Sequence, residues 1–550
     1  MADVLSFFNQ YYLSILILLP LLFALIIPFL PDQPASDSQD GPESKQAKGI
    51  HTFAVLASVL IHLFAMLSWT GSWFGVITPK EELYHWLPSF GISYALGTDG
   101  LSQIMVILTT FLLTMSVVAS TVYIKTRLKL YYSMLFILTS SLLGVFLARD
   151  AFLFLLFYEL ELIPMYLLIA IWGGPRRDYA SMKFVLYTLF GSVFLIAGIL
   201  AIFFYLDGAK GVETSEIFLF KTLDTHLVGT IPLLAQLWIF SALFIGFSVK
   251  LPVVPFHTWL PDAHVEAPTP VSMLLAGILL KMGAYGLVRF CFGFFPEAAV
   301  SLAPAVAVLA VINIVYTAGV ALVQTDLKKL IAYSSVSHMG FVILGLAALN
   351  TTGFNGAVFV MFSHGIVSAA LFMCVGSLYH RTHTRMIADY GGFGSVSPTI
   401  FYFFMFMSMA SLGLPLLISF AGESLVFYGS FTSNAFHTLI QLGKLGSWQW
   451  TMQAAAGFSA LGIVIGAAYL LWMLQRVFFG PLSERWQGKM TDANRSEVLV
   501  LATLALFVIA YGFAPKFLTH QYEDVVDKMA TQYQFPDGKY TLSSTKEGRE

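Results

Sequence analysis

Long apolar runs, separated by short polar stretches, follow one another along almost the whole chain. A helix needs about 20 mostly apolar residues to cross the hydrocarbon core of a bilayer. Fourteen runs meet this requirement, near residues 13–30, 50–69, 104–124, 131–148, 152–173, 183–205, 231–251, 270–290, 302–323, 329–349, 354–378, 398–419, 455–475 and 497–514. The pattern therefore predicts an all-α polytopic membrane protein with fourteen transmembrane helices.

Composition supports this prediction and excludes several classes of function. Of the 550 residues, 57% are hydrophobic and 11% are charged, whereas a soluble domain carries about 25% charged residues. The net charge of −2 gives no basic surface, so we expect lipid and no nucleic acid as a partner. Cys291 and Cys374 each lie inside an apolar run, which indicates core packing rather than a metal site or a disulfide.

The distribution of basic residues predicts the orientation of the helices. Most lysines and arginines in loops follow odd-numbered helices, for example Lys125, Arg127 and Arg177. Cytoplasmic loops are enriched in these residues. Both termini are therefore predicted on the lumenal or periplasmic side, which requires an even number of helices.

Ionisable residues within the predicted helices are the candidates for chemistry. Such a group costs about 2.5–3.5 kcal/mol at mid-bilayer on insertion scales and is functional by default. The primary candidates for proton translocation are Glu159, Lys250, Lys281, His338, His364 and Glu423. The secondary candidates are Glu161, His257, Asp262 and His264, of which the last two lie after the seventh helix and have helix capping as an alternative role.

The two glutamates of the fifth helix cannot share one face. Glu159 and Glu161 are two residues apart, which is about 200° around a helix. One is expected to face the protein core, and the other a neighbouring subunit or a gap between helices.

Two predicted helices contain breaks next to a titratable residue. Leu251-Pro252 follows Lys250 in the seventh helix, and Leu414-Pro415 precedes Glu423 in the twelfth. Discontinuous helices in corresponding positions are typical of transporters with inverted repeats, so we expect repeats of helices 4–8 and 9–13. The corresponding segments are an N-terminal three-helix part, two antiporter-like halves and a C-terminal helix with a polar tail, at residues 1–130, 131–291, 302–480 and 481–550.

Three long motifs surround these residues. They read FYELELIPMYLLIAIWGG, KLPVVPFHTWLPDAHVEAPTPVSMLLAGILLKMGAYGLVRF and TDLKKLIAYSSVSHMGFVILG. They closely resemble the antiporter-like chain M (chain 4) family of NADH-quinone oxidoreductase, from about residue 95 to 480. The resemblance implies a proton-pumping module whose partners are other membrane-arm subunits of complex I. It also implies no cofactor in this chain, because quinone, NAD(P)H or ferredoxin and iron–sulfur clusters bind elsewhere in the complex.

The resemblance implies a functional role for six residues of this sequence. The key glutamate of the fifth helix falls on Glu159, the broken-helix lysine on Lys250, the central lysine on Lys281, the two histidines on His338 and His364, and the twelfth-helix acid on Glu423. The paired glutamates look like the cyanobacterial and chloroplast form, which implies a thylakoid membrane. One segment departs from the family: LGLPLLISFAGES stands where LPG followed by Gly-Phe is usual.

We expect Glu159 to pair with Lys250 and to keep this lysine charged until the pair opens. The lysine then passes its proton toward Lys281, and His338 and His364 relay it onward. Three alternatives remain open: the specialised CO2-uptake form of the complex, an independent Na+ or K+/proton antiporter, and a purely structural membrane anchor for the hydrophilic arm.

Overall fold

Helices dominate the part of the chain that the computed structural model describes, residues 2–30, 45–74, 79–433 and 452–533. Within these ranges, thirteen helices are long and apolar enough to cross a membrane, and each overlaps one predicted span. The all-α polytopic architecture is thereby confirmed. The twelfth predicted span, 398–419, contains a shorter apolar helix, so the count of fourteen and the inverted repeats stay predictions.

The N-terminal part consists of three long helices and a hairpin. The helices are α1 (Ala2–Ile26), α2 (Lys45–Phe74) and α3 (Gly100–Tyr123), and the strands β1 (Glu82–Leu87) and β2 (Ile92–Leu96) pair antiparallel. The hairpin lies in a loop to which the sequence assigned no element. It is tied to α1 through the buried carboxylate of its first residue, which accepts hydrogen bonds from two backbone N–H groups of that helix.

The middle of the chain contains long helices together with several short or interrupted ones. In order they are α4 (Leu128–Leu147), α5 (Ala151–Leu160), α6 (Leu162–Trp172), α7 (Arg177–Leu206), α8 (Phe220–Thr230), α9 (Leu233–Lys250), α10 (Trp259–Glu266), α11 (Thr269–Leu274) and α12 (Leu280–Gly286). Two π-helical segments, Leu275–Leu279 and Leu287–Phe292, flank α12. Together α11, α12 and these segments form a single span of 24 residues.

The C-terminal part continues with long helices around one broken pair. These helices are α13 (Pro296–Leu322), α14 (Leu327–Ala347), α15 (Thr351–Thr382), α16 (Pro398–Ser411), α17 (Ile418–Phe431), α18 (Met452–Phe478), α19 (Arg495–Phe513), α20 (Lys516–Thr519) and α21 (Glu523–Thr531). The break between α16 and α17 lies where the sequence predicts an interrupted helix.

Burial divides the helices into a centre and a periphery. The most apolar stretches of α15 and of the α11–α12 span are 100% buried, whereas those of α1, α2, α7, α18 and α19 are only 33–39% buried. The outer faces of the peripheral helices carry large apolar side chains, as a surface in contact with lipid requires. The helices that carry Lys281 and His364 are therefore shielded from the bilayer on all sides.

A buried ion pair fastens the C-terminal part to the centre. The guanidinium of Arg381 on α15 donates to both carboxylate oxygens of Glu497 on α19, at 3.0 and 2.7 Å. The hydroxyl of Tyr123, at the end of α3, donates to the same carboxylate at 2.7 Å. This carboxylate is 0% exposed, so all three helices depend on one fully bonded buried charge.

Removing one partner of this pair is expected to destabilise the protein strongly. Arg381→Ala leaves Glu497 buried without its cation, which costs about 3–5 kcal/mol. The matched control is Arg485→Ala, because Arg485 is 59% exposed and lies 4.0 Å from Asp389, a pair worth about 0–1 kcal/mol. Thermal unfolding in detergent measures the stability of both variants. Equal decreases in melting temperature would contradict the expectation that the Arg381–Glu497 pair stabilises the protein more than the exposed pair does.

Candidate functional site

Helix α5 is fixed at its start by a buried aspartate. Asp150 accepts hydrogen bonds from the backbone N–H groups of Phe152 and Leu153, both at 2.9 Å, and from that of Ser93 at 3.1 Å. Burial raises the pKa of Asp150 to about 6 despite these bonds. This N-cap fixes the start of the helix that carries the two glutamates.

Lys250, the last residue of α9, holds its ammonium inside the protein. Its Nζ lies 2.8 Å from Oε1 of Glu161, and the two side chains are 1% and 0% exposed. The same Nζ donates to the carbonyl oxygen of Tyr158 at 2.5 Å and lies 3.4 Å from the centre of that ring. A carboxylate, a carbonyl and an aromatic face thus replace water around the cation.

The expected pairing of Glu159 with Lys250 is wrong, because Lys250 pairs with Glu161. The hydrogen-bond ladder is interrupted here: Pro164 has no N–H to donate to the carbonyl of Leu160, and α5 ends at Leu160 with Glu161 in the turn before α6. The turn directs Glu161 toward α9. The half-buried Glu159 faces α7 instead, where it accepts a hydrogen bond from the hydroxyl of Ser192 at 2.5 Å.

Lys281 lies at the centre of the molecule, directly after a π-helical segment. Its Nζ donates to the carbonyl oxygen of Ala276, within that segment, at 2.6 Å and lies 2.7 Å from Nδ1 of His364. A π segment inside a helix often marks a functional position. Gly283, two residues further, lets α9 approach closely: a Cβ there would lie 2.7 Å from the backbone nitrogen of Leu251.

Two histidines lead from Lys281 to the break in the twelfth predicted helix. The ring centres of His364 and His338 are 5.8 Å apart. His338 has Nδ1 3.3 Å from Oε1 of Glu423 and Nε2 3.2 Å from the hydroxyl of Ser411. A cavity of about 10 Å³, lined by these histidines, Glu423 and several serines, has room for about one water.

The break between α16 and α17 contains two left-handed residues. Gly413 has φ +71°, and a Cβ there would lie 2.7 Å from Oε2 of Glu423. Leu416 has φ +73°. It follows Pro415, at a position where the family that the sequence resembles usually has glycine. A side chain at such a φ is strained, so this departure lies at the backbone turn just before the helix of Glu423.

The secondary candidates lie around α10. Asp262 pairs with Lys183 at 2.7 Å. His264 packs flat on Phe372, with ring centres 4.3 Å apart, and among the described residues neither of its ring nitrogens has a hydrogen-bond partner. Burial and then the charges of Lys328 and Lys281 hold the pKa of His264 well below its usual value. Burial also lowers the pKa of His257.

Two buried or half-buried polar contacts near the site, those of Lys328 and Ser192, were not predicted from the sequence. Lys328 belongs to the basic residues near a loop, yet its side chain is buried and donates to the carbonyl of Ala267 at 2.8 Å. The sequence feature that could have indicated this position is Asp326, because an aspartate that caps α14 places Lys328 inside the helix. Ser192, the partner of Glu159, carries no comparable signal because serine is common in such helices.

The titratable groups form two connected segments. Glu161 and Lys250 make the first, and Lys281, His364, His338 and Glu423 make the second. Among the described residues no hydrogen bond joins Lys250 to Lys281, and no three histidine, cysteine or acidic side chains cluster as a metal ion would require. The arrangement suits the movement of protons between side chains.

Comparisons with known proteins show which family the chain is similar to. The family described as "NADH:quinone oxidoreductase/Mrp antiporter, TM" matches residues 148–447. NAD(P)H-quinone oxidoreductase chain 4 of Gloeobacter violaceus is 38% identical over 94% of this chain and 92% of its own length. NADH-quinone oxidoreductase subunit M of Rhodobacter capsulatus is 39% identical over 93% and 94%.

Solved structures share the fold. A chain of respiratory complex I from Thermus thermophilus superposes with a TM-score of 0.79 at 25% identity, over 95% of this chain and all of that chain. A chain of the Mrp complex from Dietzia sp. gives 0.75 at 21% identity, over 94% of this chain and 52% of that chain.

The stabilities of two glutamine variants distinguish the partner of Lys250. Glu161→Gln leaves the buried ammonium without a carboxylate, which costs about 3–5 kcal/mol. Glu159→Gln keeps an oxygen that accepts from Ser192, so about 1 kcal/mol or less is expected. Thermal unfolding of the purified protein gives the comparison, and a larger loss for Glu159→Gln would restore the original pairing.

Proposed function

Because the chain belongs to the NADH:quinone oxidoreductase/Mrp antiporter transmembrane family, we propose that it is a proton-translocating membrane-arm subunit of a complex I-type oxidoreductase that reduces quinone with NAD(P)H or ferredoxin. The observation that carries this proposal is the buried series of titratable side chains, from Lys250 and Glu161 to Glu423. A purely structural anchor would not need such a series inside a bilayer, where each charge is costly.

The partners and surroundings follow from the same proposal. The chain assembles with other membrane-arm subunits and holds no redox cofactor, so quinone, the electron donor and the iron–sulfur clusters bind elsewhere in the complex. The cyanobacterial relatives support a thylakoid membrane, with a bacterial inner membrane as the alternative. Both termini are placed on the lumenal or periplasmic side by the basic loops.

In the proposed mechanism, the Glu161–Lys250 pair acts as an electrostatic gate. A buried ammonium persists only while a carboxylate and hydrogen bonds replace its water. When the pair opens, burial favours the neutral amine and Lys250 gives up its proton. Lys250 then needs a route to Lys281, and the close packing of Gly283 against Leu251 brings the two elements together.

The second segment carries the proton across the centre. Lys281 and Nδ1 of His364 share one hydrogen bond of 2.7 Å, so a proton on one side excludes a proton on the facing atom of the other. From His364 the proton moves to His338, with the small cavity between them as a place for one bridging water. The carboxylate of Glu423, 3.3 Å away, stabilises the charged form of His338 and then accepts the proton, which leaves both groups neutral.

Glu159 has a separate role in this scheme. It is half-buried at the contact of α5 with α7, away from the ammonium of Lys250. We assign it to coupling with a neighbouring membrane-arm subunit, where a change in its charge shifts the balance of the Glu161–Lys250 pair. His257, Asp262 and His264 are assigned to proton entry from the face that carries the basic loops.

A specialised paralogue is the second candidate, in particular the CO2-uptake form of the complex. Leu416 at φ +73° is the observation that favours it, because a strained leucine has replaced the usual glycine beside the helix of Glu423. Cyanobacterial chain 4 and bacterial subunit M are almost equally similar to this chain, at 38% and 39% identity. Overall sequence identity therefore does not distinguish a cyanobacterial complex from another bacterial one.

Lysine-to-arginine substitution tests the relay directly. A proton carrier must lose its proton, and arginine stays protonated in proteins, so Lys281→Arg is expected to abolish proton translocation while leaving assembly intact. Lys528→Arg is the matched control, because Lys528 is 62% exposed and only pairs with Asp224. The measurement is protons moved per electron in sealed vesicles.

Two outcomes of that experiment change the scheme. Near-normal pumping by Lys281→Arg in assembled complex would refute the relay. Failure of Lys281→Arg together with success of Lys250→Arg would retain the relay and reduce Lys250 to an electrostatic switch.

The assignment to a complex is tested by isolating the chain. Affinity purification from native membranes is expected to recover other membrane-arm subunits, and the chain alone in vesicles is expected to show no redox activity. Sodium- or potassium-driven proton movement by the chain alone, above that of empty vesicles, would favour the independent antiporter instead.

A further inference from the structure

A second cavity lies between α2, α3, α15 and α19, and it is almost entirely apolar. Its volume is about 310 Å³, which falls in the range of small-molecule sites. The aromatic rings of Phe111, Phe362, Phe507 and Tyr511 form much of the wall, and His62 and Met66 of α2 complete it. None of its lining residues belongs to the proposed proton route.

The cavity lies between two helices that face lipid. On α2, Leu60 is 51% exposed and Leu63 is 57% exposed, and on α19 Leu506 is 63% exposed. Apolar exposure of this kind at membrane depth marks contact with hydrocarbon. The bilayer therefore lies next to the cavity on the side of α2 and α19 and supplies the molecules that reach it most readily.

The walls select for hydrocarbon rather than for a charged ligand. Among the residues that the structure describes, the lining contains no lysine, arginine, aspartate or glutamate. Its imidazole, that of His62, has Nδ1 engaged with the hydroxyl of Thr110 at 3.0 Å. At one end, the indole N–H of Trp69 donates to Gln521 at 2.8 Å and its ring packs on Phe517. Apolar cavities lined in this way stay dry and bind hydrocarbon.

We propose that this cavity binds the acyl chain of a bilayer lipid. The occupant would pack against Leu108, which lines the cavity and also contacts the backbone of α15: a Cβ at Gly365 would lie 2.9 Å from its Cδ2. Gly365 directly follows His364. The acyl chain thus supports α3 against the helix that holds the partner of Lys281.

Photo-crosslinking tests the site in the assembled complex. A phospholipid with a diazirine in its acyl chain is incorporated into native membranes, and the labelled peptides of this chain are mapped by mass spectrometry. Label is expected on peptides covering 62–69 and 107–111. Met66→Trp fills the cavity and is expected to remove this label, whereas Leu60→Trp, on the exposed face of the same helix, is expected to keep it.

Several outcomes would overturn the proposal. They are absence of label in the wild-type protein, equal label in Met66→Trp, and label by a quinone-ring diazirine that excess phospholipid does not displace. Assembly of each variant is checked on a native gel. If Met66→Trp fails to assemble, Ile107→Phe fills the cavity from α3 and is judged by the same loss of label.

Discussion

The structure depends on keeping a few charges inside a bilayer without water. The ion pair between Lys250 and Glu161, with side chains 1% and 0% exposed, shows what this requires. Each partner alone would be a buried charge that costs several kcal/mol. The pair is therefore stable when closed and sensitive when disturbed, and this is the property that the proposed pump needs from a gate.

Irregular backbone supplies the remaining partners. The carbonyl of Tyr158 bonds to Lys250 near the end of α5, and the carbonyl of Ala276 bonds to Lys281 inside a π segment. A regular α-helix engages its carbonyls in its own ladder, so an interruption nearby makes a carbonyl more available to a lysine. Irregular backbone at membrane depth is tolerated only inside protein or beside water. Both positions meet this condition, because Tyr158 is 1% exposed and the span that contains Ala276 is fully buried.

Hydropathy was sufficient to predict the thirteen long apolar helices among the described residues, because the bilayer imposes length and composition on each one. It also located the titratable residues, since a charge in an apolar run is conspicuous. It failed at Glu161, because a regular helix was assumed through a segment that Pro164 interrupts, and the rotation at this turn decides which glutamate meets Lys250. It also missed Lys328 and Ser192, whose bonded partners, Ala267 and Glu159, are distant in sequence.

The two ends of the series of titratable side chains have different partners, and the difference suggests a direction for proton movement. At Lys250 an ammonium group faces a fully buried carboxylate, so opening the pair leaves unbalanced charge. At the other end, Glu423 faces a histidine that can be neutral or charged, with Ser411 on its second nitrogen. Between them, Lys281 has a carbonyl and a histidine, and among the described residues no carboxylate within ion-pair distance. In the proposed mechanism, a proton on Lys281 therefore moves toward Glu423, where a carboxylate stabilises it.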